Sequence, residues 1–412
     1  MKVFKFGGAS VKDAQSVINV GQIVSKFGED EVLVVVSAMG KTTNLIEIII
    51  REIYSNGTVP QKELKQLKHF HNAIAQSLHL DFDLESIYNA FITKASEVKG
   101  KPYRFIYDQI IGFGEWLSSS ILFHYLNTIQ SNVQFLDVRR CVVTDSNYQQ
   151  AQVCWETSTE LINQIDFNDK ITITQGFIGR DKHENFTSLG REGSDFTAAI
   201  FASVLNVKNV TIWKDVDGFF NADPRRFPEA KKYEQLSFRE AIELAYYGAS
   251  VVHPKTIQPL QRNHINLFVK SFIHPEKSGT LISSELKQIP ELPSIIVKQN
   301  LFLLSVSSKD LSFIVEKELE SLFGACKQFG IRVVLLQNSA TSCALVLQND
   351  SIKIPQLTEF LKSDFNLKYN SNVDLYTIRH YNETIVKEIY KKGRFILEER
   401  NNKTIQILLQ SE

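Results

Sequence analysis

Short runs rich in β-branched and aromatic residues alternate, from residue 1 to about residue 275, with longer stretches whose apolar positions recur at helical spacing. Strands are predicted at Val3–Phe6, Val32–Val36, Val133–Val138, Ile171–Gln175, Val210–Trp213 and Leu267–Ser271. Helices are predicted at Asp13–Lys26, Thr43–Tyr54, Glu115–Asn127, Phe196–Leu205 and Phe238–Tyr247. Strands separated by helical crossovers imply an α/β architecture, a mostly parallel sheet covered on both faces. Punctuation agrees: Ser237 with Glu240 reads as a capping box, Gly248 as the end of that helix, and Pro254 as the first residue of the next.

The pattern changes at Gln288–Ser294, where two prolines and few apolar residues suggest a linker. Beyond it the order reads strand (Phe302–Ser307), helix (Val315–Phe329), strand (Ile331–Leu336), strand (Thr341–Leu347), helix (Ile354–Lys362), strand (Asn366–Lys368). That is one βαββαβ unit of the split ferredoxin-like kind. Asp374–Arg379, Glu383–Lys391, Phe395–Glu399 and Thr404–Leu409 then repeat β, α, β, β. The expected division is therefore 1–287, a complete α+β module over 295–370, and an abbreviated copy over 371–412.

Composition narrows the function classes. The chain has 412 residues, 43% hydrophobic and 22% charged, and its 46 basic side chains balance 46 acidic ones. Without a net field, neither nucleic acid nor an anionic membrane surface is an expected partner, and any anion site must be local. Cys141, Cys154, Cys326 and Cys343 are far apart, and His69 and His71 are two positions apart, which diverge on a helix. No metal site is expected from these residues. No apolar stretch approaches the ~20 residues a membrane span needs. Lys2–Phe6 reads as a strand rather than a signal peptide, so the cytoplasm is the expected location.

Five segments could carry chemistry. Lys5-Phe6-Gly7-Gly8-Ala9-Ser10 lies where the first strand gives way to a helix. Two glycines there allow close backbone approach, the following amides suit a phosphate, and Lys5 adds a mobile charge; the same residues also suit an ordinary tight turn. Gly40-Lys41-Thr42 is not a P-loop, because Val35 occupies the place of the required glycine. Ser37–Asn44 still falls at the carboxyl edge of the sheet, where its hydroxyls either meet a ligand or cap a helix. Glu115, in a first helical turn, suits the helix dipole or a substrate ammonium. Ser188–Asp195 joins an arginine fork, Arg191, to Ser194 and Asp195 through glycines, with Ser194 or Asp195 expected to cap the helix. Lys214–Arg225 interleaves aromatic and charged residues and turns twice, at Asp217-Gly218 and Asp223-Pro224.

Together these segments resemble the aspartate kinase family. The family's Lys-Phe-Gly-Gly-Thr-Ser-Val is matched by Lys5–Val11, its Ser-Ala…Thr-Asn-Leu loop by Ser37-Ala38…Thr43-Asn44-Leu45, and its Gly-Glu helix start by Gly114-Glu115. Gln175–Gly179, Ser188–Asp195, Lys214–Arg225 and Tyr247-Gly248-Ala249…His253-Pro254 match further segments, so the likeness covers about residues 1–285. It implies a three-layer αβα amino-acid-kinase fold followed by ACT-type modules. It also implies transfer of the γ-phosphoryl group of ATP, with Mg²⁺, to the side-chain carboxylate of L-aspartate, the first step towards lysine, threonine, methionine and diaminopimelate. By the family pattern Lys5, Gly7 and Gly8 meet the transferring phosphoryl group, and Asp195 lies beside the reacting groups. Arg191 clamps the α-carboxylate, Glu115 takes the α-ammonium, and Ser37, Thr43 and Ser194 position the rest of aspartate. Lys214, Asp215, Phe220 and Arg225 hold the nucleotide. ACT-type modules usually pair, so a homodimer through 295–412 is expected.

Several positions depart from that pattern. Ala9 replaces a threonine, and Glu192 replaces a glycine and is expected to point to solvent. Ser250 stands where a nucleotide-contacting lysine is usual, so that contact is either lost or taken over by a neighbour such as Lys255. The usual Gly-Phe loop is missing from Ser307–Val315, and Val334 replaces an aspartate. A valine cannot bind an ammonium, so lysine feedback at that position is not expected. The alternatives are another amino-acid kinase of the same fold and a non-catalytic amino-acid sensor.

Overall fold

The computed structural model describes residues 1–28, 31–248, 252–285 and 292–410. Ala249, Ser250, Lys287 and most of the expected linker lie outside the described residues. The chain divides into two compact units, one of Met1–Phe219 with Lys232–Ile289, the other of Phe220–Lys231 with Pro290–Glu412.

In the first unit the strands are β1 (Lys2–Phe6), β2 (Val32–Val36), β3 (Val133–Leu136), β4 (Ile171–Gln175), β5 (Ile178–Arg180), β6 (Phe186–Ser188), β7 (Asn209–Lys214), β8 (Gln235–Ser237), β9 (Asn266–Ser271) and β10 (Thr280–Ser283). Eight form one sheet in the order β3-β4-β2-β1-β7-β9-β10-β8, and β5 pairs with β6 as a separate hairpin. All neighbours are parallel except β9 and β10. Every residue of β2 and β4 is buried, as expected of central strands covered on both faces. The register pairs Phe6 with Val36 and Trp213, and Val36 with Gln175, so four strands end level at one carboxyl edge. Their following loops meet there, and open parallel sheets bind ligands at that edge.

Phe6 stacks on Trp213 at 5.9 Å between ring centroids, and both belong to a core that continues through Ile46, Leu67, Phe91, Ile110 and Ile121. Helices Gln61–Ser77, Glu85–Glu97, Tyr103–Ile111 and Trp155–Asn163 add to those expected. Ser237 caps Phe238–Tyr247 by accepting from the Glu240 N–H, and Pro254 opens Pro254–Arg262.

The second unit is built on β11 (Ser294–Ser308), β12 (Val333–Asn338), β13 (Ser342–Gln348), β14 (Phe365–Arg379), β15 (Arg394–Arg400) and β16 (Thr404–Gln410). They form one antiparallel sheet, β12-β13-β11-β14-β16-β15. The expected strands Asn366–Lys368 and Asp374–Arg379 are two ends of one 15-residue strand, β14. Likewise Phe302–Ser307 is the later half of β11, whose earlier half, Ser294–Lys298, pairs with Leu375–Arg379. The reason is a register shift around Asn300, which sits at φ 52 and donates its N–H to Asp374 at 3.0 Å. Polar residues at this bend interrupt the apolar alternation without ending the strand. The segment 220–231 joins this unit through Asn221, which accepts from the Ile295 N–H at 2.6 Å and donates to the Pro293 carbonyl at 2.8 Å.

Candidate active site

A cavity of about 620 Å³ opens at the carboxyl edge of the first unit's sheet, lined by residues from Lys5, Ser37–Thr43, Glu115 and Ser188–Asp195 to Lys214. Alternation along β1 sends Phe4 and Phe6 into the core beside Trp213 and leaves Lys5 on the opposite face. There Lys5 Nζ lies 2.7 Å from Asp195 Oδ1, and Lys214 Nζ, from the end of β7, lies 3.1 Å from Asp195 Oδ2. Lys5 is 6% and Asp195 1% exposed, so the Lys5–Asp195 pair is almost dry, while Lys214 is half-buried. Burial works to raise the Asp195 carboxyl, but Lys5 and Lys214 outweigh it and hold it below the ordinary range. Burial pulls Lys5 below its usual value despite Asp195. In Lys214 burial acts the same way, but Asp195 and Glu192 prevail and raise it. Taken by itself, the bridge carries one net positive charge.

Beside it, Gly8 packs against the loop after β2: a Cβ there would lie 2.5 Å from the Ala38 carbonyl oxygen, and the Gly8 carbonyl accepts from the Gly40 N–H at 3.0 Å. Gly7 precedes the short 3₁₀ turn Gly8–Val11. The loop with Ser37 is held by Ser118, whose hydroxyl donates to the Ser37 carbonyl at 2.7 Å. Thr43 stands in the first turn of Thr42–Asn56, which His71 braces: its Nδ1 meets the Leu67 carbonyl at 2.8 Å and its Nε2 the Thr42 hydroxyl at 3.3 Å. Burial pushes His71 down to about 4, so it is neutral at physiological pH, Nδ1–H donating and Nε2 accepting.

Glu115, 4% exposed, lies in the first turn of Phe113–Ile129. Its Oε1 accepts from the Ala38 N–H at 3.2 Å, while Oε2 has no hydrogen-bond partner among the described residues. Burial raises its carboxyl to about 8, with that N–H and Lys5 opposing. Such a group waits for a cation, and here it faces a cavity.

Two expectations about the Ser188–Asp195 loop are corrected. Helix Gly193–Val204 begins earlier than expected, so Ser194 and Asp195 lie in its first turn and neither caps it. The capping position falls to Glu192, held at φ 53. Glu192 does not point to solvent: it lines the cavity and its Oε2 is buried. Arg191 is exposed at the rim and Ser194 is buried. Lys255 is engaged elsewhere, donating to the Leu189 carbonyl at 2.9 Å over the face of Phe196. Of the nucleotide candidates, Lys214 lines the cavity and Asp215 is exposed after β7, whereas Phe220 and Arg225 belong to the second unit.

One buried acid was missed. Asp108, wholly buried, accepts from the N–H groups of Gln149 at 2.9 Å and Ser188 at 2.8 Å, and from the Ser188 hydroxyl at 2.6 Å. Both partners line the cavity, and Gln149 is held at φ 73. A single acid inside the apolar run Ile106–Ile111 was the available signal, since an unpaired carboxylate is rarely buried. Tyr107 and Glu47, hydrogen-bonded at 3.1 Å on the cavity wall, carried no comparable mark.

The amino acid kinase family model matches residues 1–271. The lysine-sensitive aspartokinase 3 of Escherichia coli is 30% identical over 84% of this chain and 78% of its own length. Aspartokinase 1 of Arabidopsis thaliana is 31% identical over 84% of this chain. The chain spans 63% of that relative and 42% of the bifunctional aspartokinase/homoserine dehydrogenase 2 of the same plant. Among solved structures, E. coli aspartokinase III with lysine and aspartate superposes with a TM-score of 0.85 at 26% identity, covering 100% of this chain and 96% of that one. The same enzyme with aspartate and ADP gives 0.81, covering 99% and 96%.

Proposed function

Because this chain belongs to the amino acid kinase family and, within it, to the aspartokinases, we propose that it phosphorylates the side-chain carboxylate of L-aspartate at the expense of ATP. The observation that carries the reading is the Lys5–Asp195–Lys214 bridge, built on a buried carboxylate, sharing one cavity with a Glu115 carboxylate oxygen that has no hydrogen-bond partner among the described residues. Anionic reactants and an ammonium find complementary groups within one cleft.

In this reading an oxygen of the substrate's β-carboxylate attacks the γ-phosphorus in line. The bond from that phosphorus to the β,γ-bridging oxygen breaks, and its electron pair leaves on ADP. The attacking carboxylate is already ionised at neutral pH, so no general base is needed. What remains is positioning and charge compensation. Lys5 Nζ follows the negative charge that builds on the transferring group, aided by the amides after Gly7 and Gly8. Asp195 fixes both ammonium groups. Glu115 takes the α-ammonium, Arg191 the α-carboxylate, and Ser37, Thr43 and Ser194 the remainder of aspartate. Lys214 and Asp215, at and just after the end of β7, serve the nucleotide.

Among the described residues no three metal-binding side chains converge, and Asp195 is already bridged by two cations. Mg²⁺ therefore suits the nucleotide phosphates rather than a protein site, and when bound it neutralises phosphate charge. Pairing through the second unit gives a homodimer, which sedimentation at micromolar concentration would reveal. The main test is ATP-dependent formation of aspartyl hydroxamate with hydroxylamine as trap. Product with L-aspartate and none with glutamate is expected; absence of both, beside an active control enzyme, would sink the assignment. Lys5→Ala should lower turnover by about 10²-fold or more.

A further inference from the structure

We propose that Glu192 determines the form of nucleotide the cavity accepts: its carboxylate disfavours a metal-free polyphosphate at the Lys5–Lys214 pair and so selects nucleotide that already carries its divalent cation. This rests on the nucleotide reading above and adds a residue to it. Three observations converge on Glu192. Its backbone sits at φ 53, ψ 31, a region that side-chain-bearing residues rarely adopt. Its Oε2 is buried without a hydrogen-bond donor among the described residues. It lies within electrostatic reach of both Lys5 and Lys214, the two ammonium groups of the bridge. A strained backbone that delivers an unsatisfied carboxylate oxygen to a cavity wall is poorly explained by folding alone.

The charges lining the cavity say what that carboxylate does. Lys5, Arg191 and Lys214 are the bases, and Glu47, Glu115, Glu192 and Asp195 the acids. Glu115, raised to about 8, is largely protonated at neutral pH, which leaves three acids against three bases. Glu192 therefore cancels the one positive charge the cavity would otherwise present. Coulomb repulsion grows with the charge of the ligand, so a polyphosphate stripped of its cation suffers more than one whose charge the cation has reduced.

The experiment is calorimetric titration of the full chain with ADP, once with excess EDTA and once with Mg²⁺. Wild type is expected to bind the metal-free form weakly and the magnesium form well. Glu192→Gln, which keeps the side chain's shape, and Glu192→Gly, which also relieves the left-handed backbone, should both tighten metal-free ADP by about tenfold, and magnesium ADP by less than about threefold. Unchanged affinity for metal-free ADP would return Glu192 to a solvated role and overturn the proposal. Weaker binding of magnesium ADP would also overturn it, marking Glu192 as a metal ligand. If folded wild type bound ADP under neither condition, the nucleotide reading itself would fall, an outcome distinct from both.

Discussion

Glu115 and Asp195 are both almost fully buried carboxylates in one cavity, and their surroundings drive them apart. Two ammonium groups hold Asp195 ionised, whereas Glu115 has one backbone N–H and a carboxyl raised to about 8 by burial. An ammonium ligand prefers the ionised form, so below pH 8 the free protein must give up a proton before it binds one. The expected outcome is an affinity for L-aspartate that rises with pH by up to about tenfold per unit until about 8 and then levels off. Calorimetry in two buffers of different ionisation heat should show close to one proton released at pH 7. A pH-independent affinity between 6 and 8, with no proton release, would remove Glu115 from the ammonium role. Asp108 is a positioning residue of another kind. Asp108→Ala strands the buried N–H groups of Gln149 and Ser188, costing roughly 2–4 kcal/mol of stability and raising the KM for aspartate. Asp108→Asn can still accept both N–H groups through its amide oxygen, and should recover most of each loss in urea unfolding and steady-state kinetics.

At the scale of elements, the site depends on how closely the loops after β1 and β2 approach. A methyl group on Gly8 would meet the Ala38 carbonyl oxygen at 2.5 Å, backbone against which no rotamer change gives relief. Gly8→Ala should therefore cost about 1–3 kcal/mol and cut turnover more than it raises either KM, because the displaced loop carries the amides beside Lys5. Thermal melting with initial-rate kinetics checks both; a variant of wild-type turnover would mean the cradle is not formed by this turn. The glycines and the strand ends were legible in the sequence because period and turn chemistry are local signals. The cavity wall was less so. The Glu192 backbone lies at φ 53, a conformation that the residue type there does not mark. Asp108 meets Ser188 only after folding, and Phe220 and Arg225 follow β7 directly yet group with the other unit.

At the scale of the whole molecule, the C-terminal region from residue 295 reads along the chain as a module and a partial copy, but β11 and β14 each run through both halves of one sheet. The partial copy is completed by Ser294–Lys298, which precedes the first module's opening strand, Phe302–Ser307, in sequence. The two halves also share apolar packing: one buried cluster joins Leu301, Leu335 and Val346 to Val373, Leu397 and Leu408. Val334 packs against this cluster, so the position the family gives to an acid contributes here to the core. Leu408, fully buried in β16, tests the sharing. Leu408→Ala should cost about 2–5 kcal/mol, and the loss should reach beyond its own half of the sheet. Hydrogen exchange is expected to speed up in β13, Ser342–Gln348, together with β16, because a strand common to both halves makes one cooperative unit. Exchange that quickened only within 373–410 would mean that the halves open separately, and that the continuous strands join two independent modules rather than one.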